Sequence, residues 1–336
     1  MKKVLFGITS LGIGGAERVL VDLANKISED FDISIFTIYG QGELEKQLNK
    51  NINVINLYSN KQNEYSKFQR IKISLKLLFS YKPLAGYDTY IAFLEGPITR
   101  LFAKIDKKKI AWIHNDISKV FGNNLKSKIK KHFDKKIYAK YDKLIFVSDE
   151  NKKDFEAVYG KKENEEIIRN YIDYKKVIEK SEENIDTPFK EKEINMLSVC
   201  RLVDQKGIDR FIEIHKKLED YGIHSKVYII GDGSLRYKLQ KLIDSLGETE
   251  NFYLLGAKEN PYPYIKKADY FCLLSYYEGF GMSIEEAKIL NKYIIITDTA
   301  AKEAVAGYNK ATILPNNKDG IYNGLKEILS KNIEEY

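Results

Sequence analysis

SYYEGFGMSIEEAKIL, residues 275–290, is the stretch on which the reading of the whole chain turns. The apolar run ADYFCLL (268–274) before it predicts a strand, and Ile284, Ala287, Ile289 and Leu290 predict a helix after it. Between the two lies Glu278-Gly279-Phe280-Gly281. The glycines let the backbone approach a ligand closely and adopt angles closed to other residues. The first amides of the new helix lack partners, and the helix dipole makes that end positive, which suits a phosphate. Glu278 precedes the helix and Glu286 falls inside it, eight residues later. A carboxylate repels phosphate, so the partners expected for these two are hydroxyls. A nucleotide sugar carries hydroxyls on both sides of its diphosphate.

Outward from this stretch, INMLSVC (194–200), KVYIIG (226–231), NFYLLG (251–256), DYFCLL (269–274), YIIIT (293–297) and ATILP (311–315) predict six strands, with helices between most of them. An earlier series reads the same way: KVLFGIT (3–9), DISIFTI (32–38), INVINLY (52–58), TYIAFL (89–94), IAWIHN (110–115) and KLIFVS (143–148). Helices are expected over 17–27 and about 123–139, and Phe68, Ile71, Leu75 and Leu78 mark another. Strands separated by helices imply parallel sheets covered on both faces. A polar stretch, Tyr174–Glu193, parts the two series. The expectation is an α/β protein of two Rossmann-like domains, 1–169 and 170–336, with a cleft between them and ligands at the carboxyl ends of the strands.

Hydrophobic residues make up 43% of the 336 and charged residues 31%, the balance of a soluble globular protein. No apolar run is long enough to span a bilayer. The start, MKKVLFGITSLGIGG, alternates and is broken by glycines, so it reads as a first strand rather than a signal peptide. Cys200 and Cys272 lie in apolar strand patterns and are expected as buried, reduced thiols of a cytoplasmic protein. The four histidines (114, 132, 215 and 224) show no metal-ligand spacing, and no D-x-D pair ends an N-terminal strand, so no metal is expected.

Other loops carry chemistry. SLGIGGAERV (10–19) places Gly12, Gly14 and Gly15 between the first strand and helix, but Glu17 stands where the dinucleotide fingerprint needs its third glycine. After INMLSVC come Arg201 and Lys206, two cations on one loop that can flank a diphosphate, or else lie solvated. Gly231-Asp232-Gly233-Ser234 reads equally as a ligand-side turn or a helix cap. His114 ends the strand IAWIHN, where a neutral imidazole can share a hydrogen bond with a sugar hydroxyl; Trp112 is assigned to the opposite face and the core.

Taken together, the chain resembles the retaining glycosyltransferases of the GT-B fold, in family 4 (group 1), which build bacterial surface glycans. Glu278, Gly279, Phe280, Gly281, Glu286 and Ala287 fall on that family's E-x7-E segment. Arg201 and Lys206 fall on its G-R-L-x-x-x-K-G segment, with Cys200 in place of the first glycine. The resemblance implies that Glu278 holds the donor sugar's hydroxyls, Glu286 holds the ribose, and Arg201 and Lys206 clamp the diphosphate. Gly14 and Gly15 belong to the family's N-terminal loop, Gly231 to its G-D-G turn, and Ala257 to the loop whose main chain reads the base. His114 faces the acceptor, and Glu303 matches a glutamate of unassigned role. The N-G-I-D hinge keeps Asn170 but has Tyr171 for glycine. The implied reaction moves a hexosyl unit from a nucleoside-diphosphate sugar, with UDP favoured, to a glycan or lipid-linked glycan. It needs no metal and no cofactor. The family's last helix crosses back to the first domain, and here that segment is expected to be short or absent. A sugar-nucleotide epimerase of the same fold, or a non-catalytic partner subunit, stays open.

Charge is unevenly spread. Lys104 to Lys143 holds thirteen lysines against four aspartates. An anionic membrane surface on the cytoplasmic side is the expected partner; nucleic acid is not, since the rest of the chain reads as a sugar-nucleotide site. Leu125, Ile129, His132, Phe133 and Ile137 form an apolar stripe that packs inward or dips into the interface.

Overall fold

The computed structural model describes residues 1–79, 84–114, 117 and 125–333. Asn115, Asp116 and Lys119 lie outside these, as do the side chains of Leu78, Leu125 and Lys126. The chain divides into two compact units, Met1–Ile172 and Asp173–Tyr336.

In the first unit the elements run β1 (Lys3–Ile8), α1 (Gly15–Ile27), β2 (Asp32–Tyr39), β3 (Asn53–Tyr58), α2 (Lys67–Phe79), β4 (Thr89–Ala92), α3 (Pro97–Phe102), β5 (Lys108–Ile113), α4 (Leu125–Tyr138), β6 (Lys143–Phe146), α5 (Asp149–Tyr159) and β7 (Glu165–Ile167). The described strands form a parallel sheet in the order β3-β2-β1-β4-β5-β6-β7. Strand order reverses between β1 and β4, so the loops after these two strands part and leave room at their carboxyl ends. Helices α2 to α5 contribute Ile73, Leu77, Leu101, Phe102, Ile137, Tyr138, Phe155 and Tyr159 to one core cluster with Leu5, Phe36, Ala92 and Phe146 of the sheet.

Three features depart from the sequence reading. Strand β7 was not expected, because EEI is only three residues at a sheet edge, two of them acidic, too short for an alternation to betray it. Helix α2 exists, but its buried residues are Ile73 and Leu77, while Phe68, Ile71 and Leu75 face solvent. Both sets repeat at helical spacing, so the period identified the helix but left its inward face open. Trp112 is core, but its ring stacks with that of His114, centroids 6.3 Å apart and planes 15° apart, because residues two apart share a face of the chain.

The second unit runs α6 (Tyr174–Ser181), β8 (Asn195–Val199), α7 (Ile208–Asp220), β9 (Lys226–Ile230), α8 (Arg236–Ser245), β10 (Phe252–Gly256), α9 (Tyr262–Lys267), β11 (Tyr270–Leu273), α10 (Met282–Ile289), β12 (Tyr293–Thr297), β13 (Ala311–Leu314) and α11 (Lys318–Ile333). Its described strands form a parallel sheet, β10-β9-β8-β11-β12-β13. The order reverses between β8 and β11, which pair directly through Tyr270 with Met196 and Phe271 with Leu197. The unit opens on Asp173, whose carboxylate caps α6 by accepting from the Lys176 amide at 3.1 Å.

The charges of α4 are sorted by side. Its one acid, Asp134, is 8% exposed and accepts from Arg100 Nε and Nη2 at 2.9–3.1 Å. Truncating one partner strands the other in a poorly solvated site. Asp134→Ala should lower stability by ~2–3 kcal/mol, read as a fall in urea midpoint, and Arg100→Met/Asp134→Leu should recover most of it.

Candidate functional site

Because β8 and β11 are neighbours at the reversal point, the loops that follow them lie side by side. The first is Cys200–Gly207; the second is Ser275–Gly281. Gln205 joins them by donating from Nε2 to Tyr277 O at 3.0 Å and accepting the Tyr276 amide on its carbonyl at 2.9 Å. Gly207 is left-handed (φ 62°), and a Cβ there would stand 2.6 Å from Leu274 O. Only glycine lets the first loop turn into α7 this close to β11.

At the centre, Lys206 Nζ forms an ion pair with Glu278 Oε1. Ser275 Oγ donates to the same oxygen at 2.5 Å. Glu278 is 4% exposed, so this carboxylate depends on those two partners and on the few donors around it. Gly281, left-handed at φ 78°, is the N-cap of α10 and sends the chain from Glu278 into that helix. Phe280 is buried beneath the turn. Glu286, on the second turn of α10, is 6% exposed and accepts from Tyr262 Oη at 3.2 Å. Ile284 and Ala287 are fully buried, whereas Ile289 and Leu290 are half-buried.

The G-D-G turn is laced to the first loop. Leu202 N donates to Asp232 O at 3.0 Å and Leu235 N to Leu202 O at 3.1 Å. A Cβ on Gly231 would fall 1.8 Å from Cys200 O, so this glycine is fixed by close approach. Arg201 and Ala257 are exposed. Cys272 is buried as expected; Cys200 is only half-buried, though burial of its thiol pushes it up to about 12. Glu303 lies in a 3-10 turn, Ala300–Val305.

Arg210, Tyr262 and Ser275 were not singled out from the sequence. Arg210 is 2% exposed and donates to Leu274 O at 3.1 and 2.7 Å and to Asn316 Oδ1 at 2.7 Å. Asn316 in turn donates to Tyr276 O at 2.9 Å. The arginine thus fixes the end of β11, where the Ser275–Gly281 loop begins. Its one sequence signal is a cation inside the apolar run IDRFIEIH.

In the first unit, Gly14 caps α1 and Gly15 begins it. The helix starts two residues before the expected Glu17, and Glu17 occupies its first turn. His114 follows β5, and its amide donates to Glu95 Oε1 at 2.6 Å; Glu95 follows β4, beside the reversal point of that sheet. The ring packs on Phe93, with centroids 4.8 Å apart. The residue is half-buried, but Nε2 is closed to solvent with no partner among the described residues. Burial pushes the imidazole down to about 3, so it is neutral at ordinary pH.

Two family models divide the chain between them: Glycosyltransferase Family 4 over residues 13–176 and Glycosyl transferases group 1 over residues 179–336. The chain belongs to the GT-B glycosyltransferases of group 1, family 4, and its activity is glycosyl transfer. A relative from Campylobacter jejuni, N-acetylgalactosamine-N,N'-diacetylbacillosaminyl-diphospho-undecaprenol 4-alpha-N-acetylgalactosaminyltransferase, is 28% identical over 98% of this chain and 90% of its own. Among solved structures, Anabaena HepE in complex with UDP and glucose superposes with a TM-score of 0.74 at 16% identity, over 97% of this chain and 89% of its own. Sucrose-phosphate synthase from Thermosynechococcus elongatus superposes at 0.77 with 13% identity, over 98% of this chain and 90% of its own. At those identities the two structures speak for the fold alone.

The ion pair makes stability and site chemistry separable. Lys206→Ala leaves the Glu278 charge buried and should destabilise by ~2–4 kcal/mol in urea unfolding. Adding Glu278→Gln should restore most of that loss without restoring turnover. His114 gives a pH signature of the opposite half. Its folded pKa lies below its unfolded value of about 6.5, so its contribution is fully present above that pH and fades as the unfolded chain takes up the proton. Wild type should lose ~1–2 kcal/mol through this group between pH 7 and pH 5, and His114→Gln should lose that much less in paired urea titrations.

Proposed function

We propose that the second unit holds a nucleoside-diphosphate sugar, UDP-linked, and that the enzyme transfers its hexosyl unit with retention to a glycan or lipid-linked glycan. The observation that carries this is the convergence of Lys206, Glu278, the Gly279–Gly281 turn and Glu286 at the β8–β11 reversal point. Lys206 and Arg201 take the diphosphate, with the α10 amides beside them; Glu278 takes sugar hydroxyls and Glu286 the ribose. Gly231 and Ala257 border the nucleotide. Gly14 and Gly15 supply an amide-lined turn to the reaction, and His114 shares a hydrogen bond with an acceptor hydroxyl.

Donor binding exchanges partners. Lys206 and Glu278 satisfy each other in this structure. An arriving diphosphate is a stronger acceptor for Lys206, and the carboxylate it leaves turns to the sugar. In transfer, the bond from the anomeric carbon to the β-phosphate oxygen breaks and its electrons leave with the nucleotide. The acceptor oxygen enters on the same face and its proton passes to the departing phosphate. Charge growing on that phosphate is met by Lys206, Arg201 and the helix end, the kind of preorganised stabilisation that dominates such reactions. This sequence calls for no protein nucleophile and no metal.

The acceptor reading draws on the Campylobacter relative, whose name specifies a diphospho-undecaprenol acceptor. A place on the anionic inner face of a membrane fits that chemistry. Within Lys104–Lys143, the lysines do not act alike. Lys104 Nζ donates to Leu77 O at 2.8 Å and Lys143 pairs with Glu166, while Lys128, Lys130, Lys135, Lys136 and Lys140 are exposed. The exposed set on and after α4 is the part that meets lipid.

Glu286→Gln should weaken UDP binding about tenfold or more in calorimetry, the worth of a hydrogen bond to a charged acceptor. Arg201→Ala, at an exposed position, should leave the melting temperature unchanged and lower turnover about a hundredfold, ~2.7 kcal/mol of transition-state stabilisation. UDP affinity unchanged in the first and turnover unchanged in the second would remove both residues from the donor site.

A further inference from the structure

We propose that α2 is an interfacial helix that inserts its outer face into an anionic bilayer, beside the basic face of α4. Phe68 is 76% exposed, Ile71 53% and Leu75 51%, three large apolar side chains on one helix left uncovered among the described residues. At 3.6 residues per turn they fall within an arc of about 60°. Lys67 borders that arc on one side and Lys72 and Lys76 on the other, and α2 carries no acidic residue. The opposite face is already used, since Ile73 and Leu77 enter the core. A helix with one buried side, one bare apolar stripe and cations along the stripe's edges is built to lie in a membrane interface.

A second helix on the same core repeats the arrangement. Helices α2 and α4 both pack on α3. On α4, Ile129 is 65% and Phe133 42% exposed among Lys128, Lys130 and Lys136, and Asp134 is turned inward to Arg100. The inward turn of that acid leaves the outer side of the helix positive. A second copy of the chain is a poor cover for this face, because like charges would be set against each other. Nucleic acid would leave the apolar stripe unused. Anionic lipid satisfies both the charge and the stripe.

The orientation has a consequence for the site, which rests on the lipid-linked acceptor reading. Arg70, on α2, also lines an open polar pocket of about 270 Å³ with Gly12, Gln41, Glu43, Lys61 and Asn63. Docking through α2 sets this pocket at the level of the lipid head groups, where the polar head of a membrane-embedded acceptor is presented.

The test is sedimentation with vesicles of phosphatidylcholine, with and without phosphatidylglycerol, at rising salt. Wild type should pellet only with the anionic lipid. Phe68→Ser/Ile71→Ser/Leu75→Ser and Lys67→Gln/Lys72→Gln/Lys76→Gln should each bind about tenfold or more weakly. Phe68→Trp should shift its emission to the blue on anionic vesicles, against the background of buried Trp112. Pelleting that ignores lipid charge, binding unchanged in both triple variants, or a dimer in sedimentation equilibrium that the serine variant dissolves would each overturn the docking. UDP titration without lipid reads the donor site alone. Protein that binds UDP and ignores anionic vesicles refutes the docking and leaves the transfer reading intact.

Discussion

One buried ion pair, Lys206 with Glu278, holds together the two loops on which the proposed donor site is built. The strands beneath them are adjacent, so the loops are forced into proximity, but adjacency alone does not fix side-chain register. The pair does, with Ser275 on the same carboxylate oxygen and Gln205 bridging main chain to main chain. Arg210 secures the root of the second loop from below. The cost of burying these charges is met by their mutual satisfaction, and the arrangement is therefore poised. A ligand that offers phosphate to the lysine and hydroxyls to the glutamate replaces each partner with another of its own kind.

The alternation of strands and helices was legible in the sequence because parallel sheets buried on both faces write nearly continuous apolar runs. All six strands expected after residue 190 are present, as are the six expected before residue 150. The glycines at 231 and 281 were legible for a different reason, since a turn or close approach there admits nothing larger. Arg210 and Tyr262 were not legible. Arg210 acts through contacts 64 and 106 residues away and Tyr262 through one 24 residues away, and no local pattern records such contacts. The pairing of Lys206 with Glu278 was hidden likewise: both were assigned to ligand, and neither to the other.

Faces were less legible than elements. Period identifies an element, but it does not say which of two apolar stripes turns inward. For α2 the larger residues stayed outside and Ile73 and Leu77 went in. For Trp112 and His114 the parity of an extended strand, continued one residue past its end, put both rings on one side. The α2 outcome is the more informative, because an apolar stripe left bare on a basic helix asks for a partner that the described residues do not provide.

The partner exchange at Lys206 can be observed directly. A crystal structure of the enzyme with UDP should show the lysine on the β-phosphate, the phosphate against the amides of Gly279 to Gly281, the ribose on Glu286, and the Glu278 carboxylate released from its ion pair. UDP bound elsewhere, or bound with the Lys206–Glu278 pair intact and the Gly279–Gly281 amides empty, would contradict this reading of the site.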